Sequence, residues 1–398
     1  MASAHILGYP RIGEKRALKY ALEAFWKGDL TAAGLQEIGK GLRERHWSKQ
    51  KRLDFITAGD FSFYDHVLDH AVMFGAIPRR FGFQGVLSEH DYFALARGNA
   101  VQPAMKTARW FDTDYHYIVP ELDADTSFTI NAHEFLSQLD EAQARSMPVK
   151  AALLGPVSLL YLSGADGCDR LQLLDRLAEQ YAHLLKELYH RKIACLQLEE
   201  PILALDLDDA WLGAFERAYA WFRTQRPAIL LGTYFGNVAR YQGFVTHLPV
   251  DGIHLDLVSA PEQLAPWLNA LPGHWILSAG IVDGRGILRN DLRQSLGLLQ
   301  PLAHKLGDRL WVAPSCSLLH VPATLAHEQA MDAATRSCLA FADEKIAEVV
   351  ALARGLNEGE ASIAEDLLVS DAAVRLRHAC CVKADDNLTV LVARKPVA

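Results

Sequence analysis

The residues best suited to chemistry fall into two groups. The first is basic: Arg11, Lys15, Arg16 and Lys19 follow a strand-like His5-Ile6-Leu7 and a loop punctuated by Gly8, Pro10 and Gly13. Glycine permits, and proline fixes, the backbone angles of such a loop. Where a strand turns through a tight loop into a helix, the first helical N–H groups lack partners. Cations added at that end make an anion site. The same residues also read as a first strand and a solvated basic helix start, since single charges near helix ends are individually weak.

The second group is acidic and aromatic. It comprises Asp60, Tyr64 and Asp65, Glu199-Glu200-Pro201, Thr233-Tyr234-Phe235, Asp256, Asp283 and Arg285, and Ser315, Cys316 and His320. Glu199 and Glu200 are adjacent, so on a strand only one of them faces a given side. That one is either a general base or a carboxylate held by backbone amides or an arginine. We take Glu200 into a candidate ring with Asp60, Asp256 and Cys316. Cys316 and His320 have the types of a thiolate–base pair or of half a zinc site. Zinc needs three or four converging ligands, and no second His/Cys cluster ends another strand, so a buried, inert thiol is the favoured reading. His66 and His70 lack an HExxH pattern and read as ordinary helix residues.

Regular elements must position these groups. The 398 residues are half hydrophobic, ample for a large core as one big barrel with additions or as two domains. The formal charge of −8 argues against general nucleic-acid binding and makes any anion site local. No secretory leader or apolar span is legible. The six scattered cysteines, with one adjacent pair at Cys380-Cys381 and no CxxC, point to a reducing cytoplasm.

Apolar spacing predicts helices over 16–27 and 31–51, with Thr31 as N-cap, then a strand over 53–59 and a helix ending near Met73. Residues 75–109 read as an irregular surface excursion, and 115–121 as a hairpin or edge piece because of Pro120. From Phe135 onward, strands at 150–155, 194–198, 228–233, 252–257, 274–279 and 310–314 alternate with helices at 171–192, 208–224, 238–248, 260–271 and 289–306. A helix over 332–356 follows the last strand. Short apolar strands separated by helices imply parallel pairing with both faces covered. Eight strands favour one closed (β/α)8 TIM-type barrel over residues 1–358, with an N-terminal helical insertion, and a C-terminal arm or linker over 359–398. No GxGxxG follows a strand, so a dinucleotide fold lacks support.

These residues carry a resemblance. His5-Ile-Leu-Gly-Tyr-Pro-Arg-Ile-Gly13, Gly59-Asp-Phe-Ser-Phe-Tyr-Asp-His66, Trp110-Phe-Asp-Thr-Asp-Tyr-His-Tyr-Ile-Val-Pro-Glu121, Leu154-Gly-Pro156, Gln197-Leu-Glu-Glu-Pro201, Ser278-Ala-Gly280 and Pro314-Ser-Cys-Ser-Leu-Leu-His320 resemble the N-terminal half of cobalamin-independent methionine synthase. That family is built from two face-to-face (β/α)8 barrels. The resemblance implies a C-terminal barrel that holds zinc and homocysteine, and an N-terminal barrel that braces it and contacts the glutamate tail of methyltetrahydrofolate. Carried over, the tail residues are Arg16, Ala17, Leu18, Lys19 and Arg109. The family usually has Glu at Ala17 and Lys at Arg109, and arginine there keeps the charge but not the geometry.

By the duplication, the equivalents of the zinc ligands are Thr233, Phe235, Asp256 and Cys316, of which only Cys316 is of the right type. The resemblance therefore implies no zinc and no cofactor in this chain. The expected partners are a methyltetrahydrofolate polyglutamate and a separate catalytic methionine-synthase barrel, with no nucleic acid and no membrane. The alternatives are a stand-alone barrel repurposed for another small molecule, or a non-catalytic interaction protein.

Overall fold

The computed structural model describes residues 1–83 and 85–383. Eight parallel strands form one curled sheet: β1 (Ser3–Ala4), β2 (Ile56–Ala58), β3 (Val149–Leu154), β4 (Cys195–Glu199), β5 (Ala228–Gly232), β6 (Gly252–Asp256), β7 (Ile276–Val282) and β8 (Leu310–Pro314). From β2 to β8 each pairs with its neighbour in chain order, and β8 returns to β1, as a (β/α)8 barrel requires. The seam between β1 and β2 is closed differently. There Asp54 N donates to Ala4 O at 2.9 Å, Ala4 N donates to Asp54 Oδ2 at 2.6 Å, and Thr57 Oγ1 donates to Ile6 O at 2.8 Å.

The strand expected at Ile6-Leu7 thus falls earlier. Ladder pairing ends where His5 N donates to Val312 O, and Ile6 and Leu7 are held by side chains instead. Toward the strands' N-terminal ends, Cys195, Leu230 and Trp311 pack with Phe55 and Ile276. Above them lies a wholly buried polar layer of His5, Thr57, Lys150, Gln197, His254 and Ser278.

Several helices of the outer shell follow the predicted periodicity, among them α1 (Ala17–Lys27), α2 (Ala32–Lys49), α3 (His66–Met73) and, later, α11 (Leu292–Leu306). Thr31 caps α2, its side chain accepting from Gly34 N at 3.1 Å. Residues 75–109 are not irregular throughout. They include α4 (Glu89–Arg97), capped reciprocally by Ser88 and Asp91, with Phe93, Leu95 and Ala96 buried. Glycines at 82, 85 and 98 flank this nine-residue helix and hid it from the periodicity.

The predicted helix over 332–356 is two, α12 (Ala333–Ser337) and α13 (Ala342–Glu358). The chain leaves the helix because Cys338 O and Ala340 N pair with Arg289 N and Ile287 O. The predicted helices over 238–248 and 260–271 begin as 3-10 turns and shorten to α9 (Gln242–Val245) and α10 (Leu264–Ala270). Beyond Gly359 the arm is itself helical, α14 (Ala364–Lys383), and packs on α11 through Ser370 Oγ, which accepts from Leu292 N. Residues 384–398 of the expected arm lie outside the described residues.

Helices α1 and α2 build their own small core on Phe61 and Phe93, with Leu35 wholly buried at its centre. Leu35→Ala should cost about 2–4 kcal/mol, read as a lower urea midpoint with an unchanged slope.

Candidate functional site

Asp65 joins the loops that carry the sequence motifs. It is 2 % exposed, the N-cap of α3. Its Oδ2 accepts from Leu68 N at 2.9 Å and Ile118 N at 3.0 Å, and its Oδ1 accepts a short bond from the Tyr115 hydroxyl. Arg11 donates to that hydroxyl at 3.0 Å and to Tyr64 O at 2.6 Å, and lies over the Tyr115 ring. Burial raises the Asp65 pKa, against the bonds from Tyr115 and the Arg11 charge. The loop after β1, the loop after β2 and the Thr107–Arg109/His116–Ile118 hairpin are thereby tied into one unit over the barrel mouth.

Below this unit is a cavity of about 50 Å³, lined by Asp60, Glu199, Tyr234, Trp110, His66 and His320 among others. Asp60 Oδ2 accepts from Tyr9 N at 2.7 Å. Glu199 accepts from Tyr234 OH at 2.6 Å and Gln197 Nε2 at 2.5 Å. Burial pushes the Asp60 carboxyl up to about 6, and raises Glu199. Burial also lowers the pKa of His66, and those of His70 and His320 to about 4, so these imidazoles are neutral at physiological pH. Phe111 and Phe235 meet at the rim with ring centroids 5.6 Å apart, and both have positive φ, 52° and 72°. Such angles cost a bulky residue about 1–3 kcal/mol and mark positions over-determined by their surroundings.

The candidate ring does not converge as expected. Glu200 points away from the mouth: it is fully buried and accepts from Val157 N at 3.2 Å and Ser158 N at 2.7 Å, at the start of α6 (Pro156–Leu162). A Cβ on Gly155 would meet its carboxylate oxygen at 2.1 Å, so glycine is required there. The side chain in the cavity is Glu199, because β4 pleats it inward beside Gln197. Asp256 accepts from Phe235 N, Val258 N and Ser259 N, which orders the loops after β5 and β6. Cys316 is fully buried, and burial raises its thiol pKa well above the ordinary value.

The zinc-equivalent positions do not fit a metal. Thr233 donates its hydroxyl to His254 O, Phe235 has no donor atom in its side chain, Asp256 is committed to backbone amides, and the Cys316 thiol stays protonated. Among the described residues no group of three or more His, Cys, Asp or Glu could hold a metal ion.

The basic residues lie on the outer rim. Lys15 and Arg16 are consecutive left-handed residues, with φ 52° and 60°. The expected free helix amides are already used, since Arg16 N donates to Gly13 O, Ala17 N to Glu14 O and Leu18 N to Ile12 O. The Leu18 side chain is buried in the α1–α2 core, which leaves Arg16 and Lys19 to present charge, with Ala17 between them. Among the described residues Lys19 pairs only with Glu23, at 3.8 Å on its exposed flank. Arg109 donates from Nε to Thr113 O at 3.1 Å, and its partner Asp114 is 98 % exposed, a weak pair. Among the described residues no hydrogen bond or ion pair joins Arg109 to Arg16 or Lys19.

The fold and site together define a (β/α)8 barrel with a capped, carboxylate-bearing mouth and a basic outer rim. Residues 3–307 match the model for the N-terminal domain of the cobalamin-independent synthases. The chain is 48% identical over 383 residues to the 5-methyltetrahydropteroyltriglutamate–homocysteine methyltransferases of Paraburkholderia xenovorans and Paraburkholderia phytofirmans, 95% of this chain and 50% of each relative. It belongs to the cobalamin-independent methionine synthase family and spans about half the length of the curated relatives it matches. Its fold is also that of a putative vitamin-B12-independent methionine synthase from Listeria monocytogenes, at TM-score 0.57 and 14% identity over 90% of this chain and 98% of that one. A B12-independent methionine synthase from Shewanella sp. W3-18-1 in complex with selenomethionine gives TM-score 0.57 over 85% and 92%. Among the described residues no helix is long and apolar enough to cross a membrane.

His70 makes the mouth acid-sensitive. Its Nδ1 lies 2.6 Å from His66 O and its Nε2 accepts from Leu154 N at 2.9 Å, which assigns the proton to Nδ1. A second proton breaks the bond to Leu154. Because burial depresses the pKa to about 4, the folded state binds fewer protons than the unfolded one below about pH 6.5, and stability falls as pH drops from there toward 4. Asp60, raised by burial, acts in the opposite sense: its protonated form is favoured in the fold, and that contribution is lost as pH rises from about 4 through about 6. His70→Gln should flatten the acid side of the urea-midpoint profile, by about 2 kcal/mol at pH 4.5.

Proposed function

We propose that this barrel binds the polyglutamate tail of a methyltetrahydrofolate and supports methyl transfer to homocysteine by a separate zinc-bearing barrel. The observation that carries the reading is the strained turn at Lys15 and Arg16. Two successive L-residues in the left-handed region cost roughly 1–2 kcal/mol each, and they hold a basic turn at the start of α1 with Lys19 one helical turn beyond Arg16. Cations so held, whose partners among the described residues are weak and exposed, suit a run of carboxylates better than a single anion.

The relatives' name, which specifies a pteroyltriglutamate, supports the same ligand class. The hairpin carrying Arg109 is braced by Asp65 and Tyr115, which gives the reading a further cation on a defined support. The barrel contributes binding and bracing, and the zinc-activated thiol belongs to the partner. No step is assigned to Cys316.

Titration with a folate triglutamate and its monoglutamate tests this. The triglutamate should bind more tightly, and Arg16→Ala or Lys19→Ala should each weaken it by about 0.5–1 kcal/mol, roughly two- to fivefold, less in high salt, while leaving the monoglutamate unaffected. Equal affinity for the two folates would exclude tail recognition.

A further inference from the structure

The tail reading leaves the mouth cavity unexplained, and its walls have an unusual composition. Six aromatic side chains make a closed circuit of ring contacts. Tyr115 meets His66 with centroids 5.7 Å apart, His66 meets Trp110 at 4.5 Å, Trp110 meets Phe111 at 5.1 Å, Phe111 meets Phe235 at 5.6 Å, Phe235 meets His320 at 5.6 Å, and His320 returns to Tyr115 at 6.4 Å. Three of these, His66, Trp110 and His320, line the cavity, together with Tyr9 and Tyr234. The circuit depends on the strained backbone at Phe111 and Phe235, which a structure retains only when its surroundings enforce it.

The charge beneath the aromatics is negative. Asp60 and Glu199 both line the cavity, and one cation, Lys150, lies below them, bonded to Ile6 O and Gln197 Oε1. Two carboxylates against one ammonium leave a surplus negative charge. Arg11 also lines the cavity, but it is engaged by Tyr115 and Tyr64 O with Asp65 as counter-charge. The histidines are neutral because burial disfavours their charged form.

Asp60 and Glu199 already accept hydrogen bonds from Tyr9 N, Tyr234 OH and Gln197 Nε2. Both Glu199 oxygens and Asp60 Oδ2 are thereby fixed in place, and the pair sets a negative field on the cavity. An alkylated cation without N–H donors suits aromatic walls of this kind beside a negative field. The cavity of about 50 Å³ has room for about four water-sized groups, the size of a methylated onium centre.

We propose that the barrel mouth binds a small alkylated onium head group, a quaternary ammonium or a sulfonium, between the aromatic circuit and the Asp60 and Glu199 carboxylates. The inference is independent of tail binding, because it uses none of Arg16, Lys19 or Arg109.

Isothermal titration of the chain with tetramethylammonium chloride, with tert-butanol as a neutral body of similar size and potassium chloride at matched ionic strength, tests it. Tetramethylammonium should give saturable binding roughly tenfold or more tighter than either control. That comparison uses the unaltered chain and stands whatever the variants do. Glu199→Gln should weaken the onium roughly tenfold. His320→Ala, which removes a ring that lines the cavity, should do the same. Tetramethylammonium binding no better than tert-butanol, or unchanged affinity in both folded variants, would overturn the proposal.

Discussion

The architecture hangs on how its first strand is held. β1 offers two residues to the ladder, too few to close a barrel by backbone pairing alone. Just beyond it, the carbonyls of Ile6 and Leu7 are taken by side chains from other strands. Thr57 Oγ1 and Lys150 Nζ both donate to Ile6 O, and Gln197 Nε2 donates to Leu7 O at 2.8 Å. A lysine at the heart of a barrel is costly to bury, and burial draws its pKa down to about 8. It is retained where its donors satisfy groups that would otherwise be orphaned, the condition under which buried polar groups are tolerated. A second buried chain, from His5 through Ser278 and His254 to Ser315 O, ties β1 to β6, β7 and the end of β8 in the same way.

From that seam the mouth follows. Leu7 leads into the loop whose Tyr9 amide holds Asp60 and whose Arg11 reaches Tyr115. Gln197, which anchors Leu7, also bonds Glu199. The interior layer and the cavity are therefore one hydrogen-bonded system, and a change at Lys150 or Gln197 reaches the carboxylates above. Asp65 performs the corresponding task outside the barrel, where it holds the hairpin over the mouth and sets the position of Trp110, Phe111 and Arg109 together.

This arrangement keeps the two groups of residues on separate surfaces. The basic residues of α1 and the hairpin lie on the rim. The carboxylates and aromatics lie beneath a cap built of the same loops. The bracing that holds the rim also narrows the cavity to about 50 Å³, too small for a folate and suited to a compact head group.

Much of the architecture was legible in the residues. The period of the apolar runs from Phe135 onward, the punctuation by glycine and proline, and the motif order are local properties, and they determined eight parallel strands, a closed barrel and the family. Helix α4 was not legible, because nine residues between glycines leave periodicity little to register. The choice between Glu199 and Glu200 was not legible either. Adjacent glutamates are equivalent in composition, and only the pleat of β4 and the space beside Gly155 send one into the cavity and the other to α6. The same holds for Leu18, which matches a binding run by position yet packs inward because α1 rests on α2. Local pattern specifies which elements form, whereas the direction of a side chain at the end of an element depends on contacts far apart in the chain, and tertiary packing alone decides those.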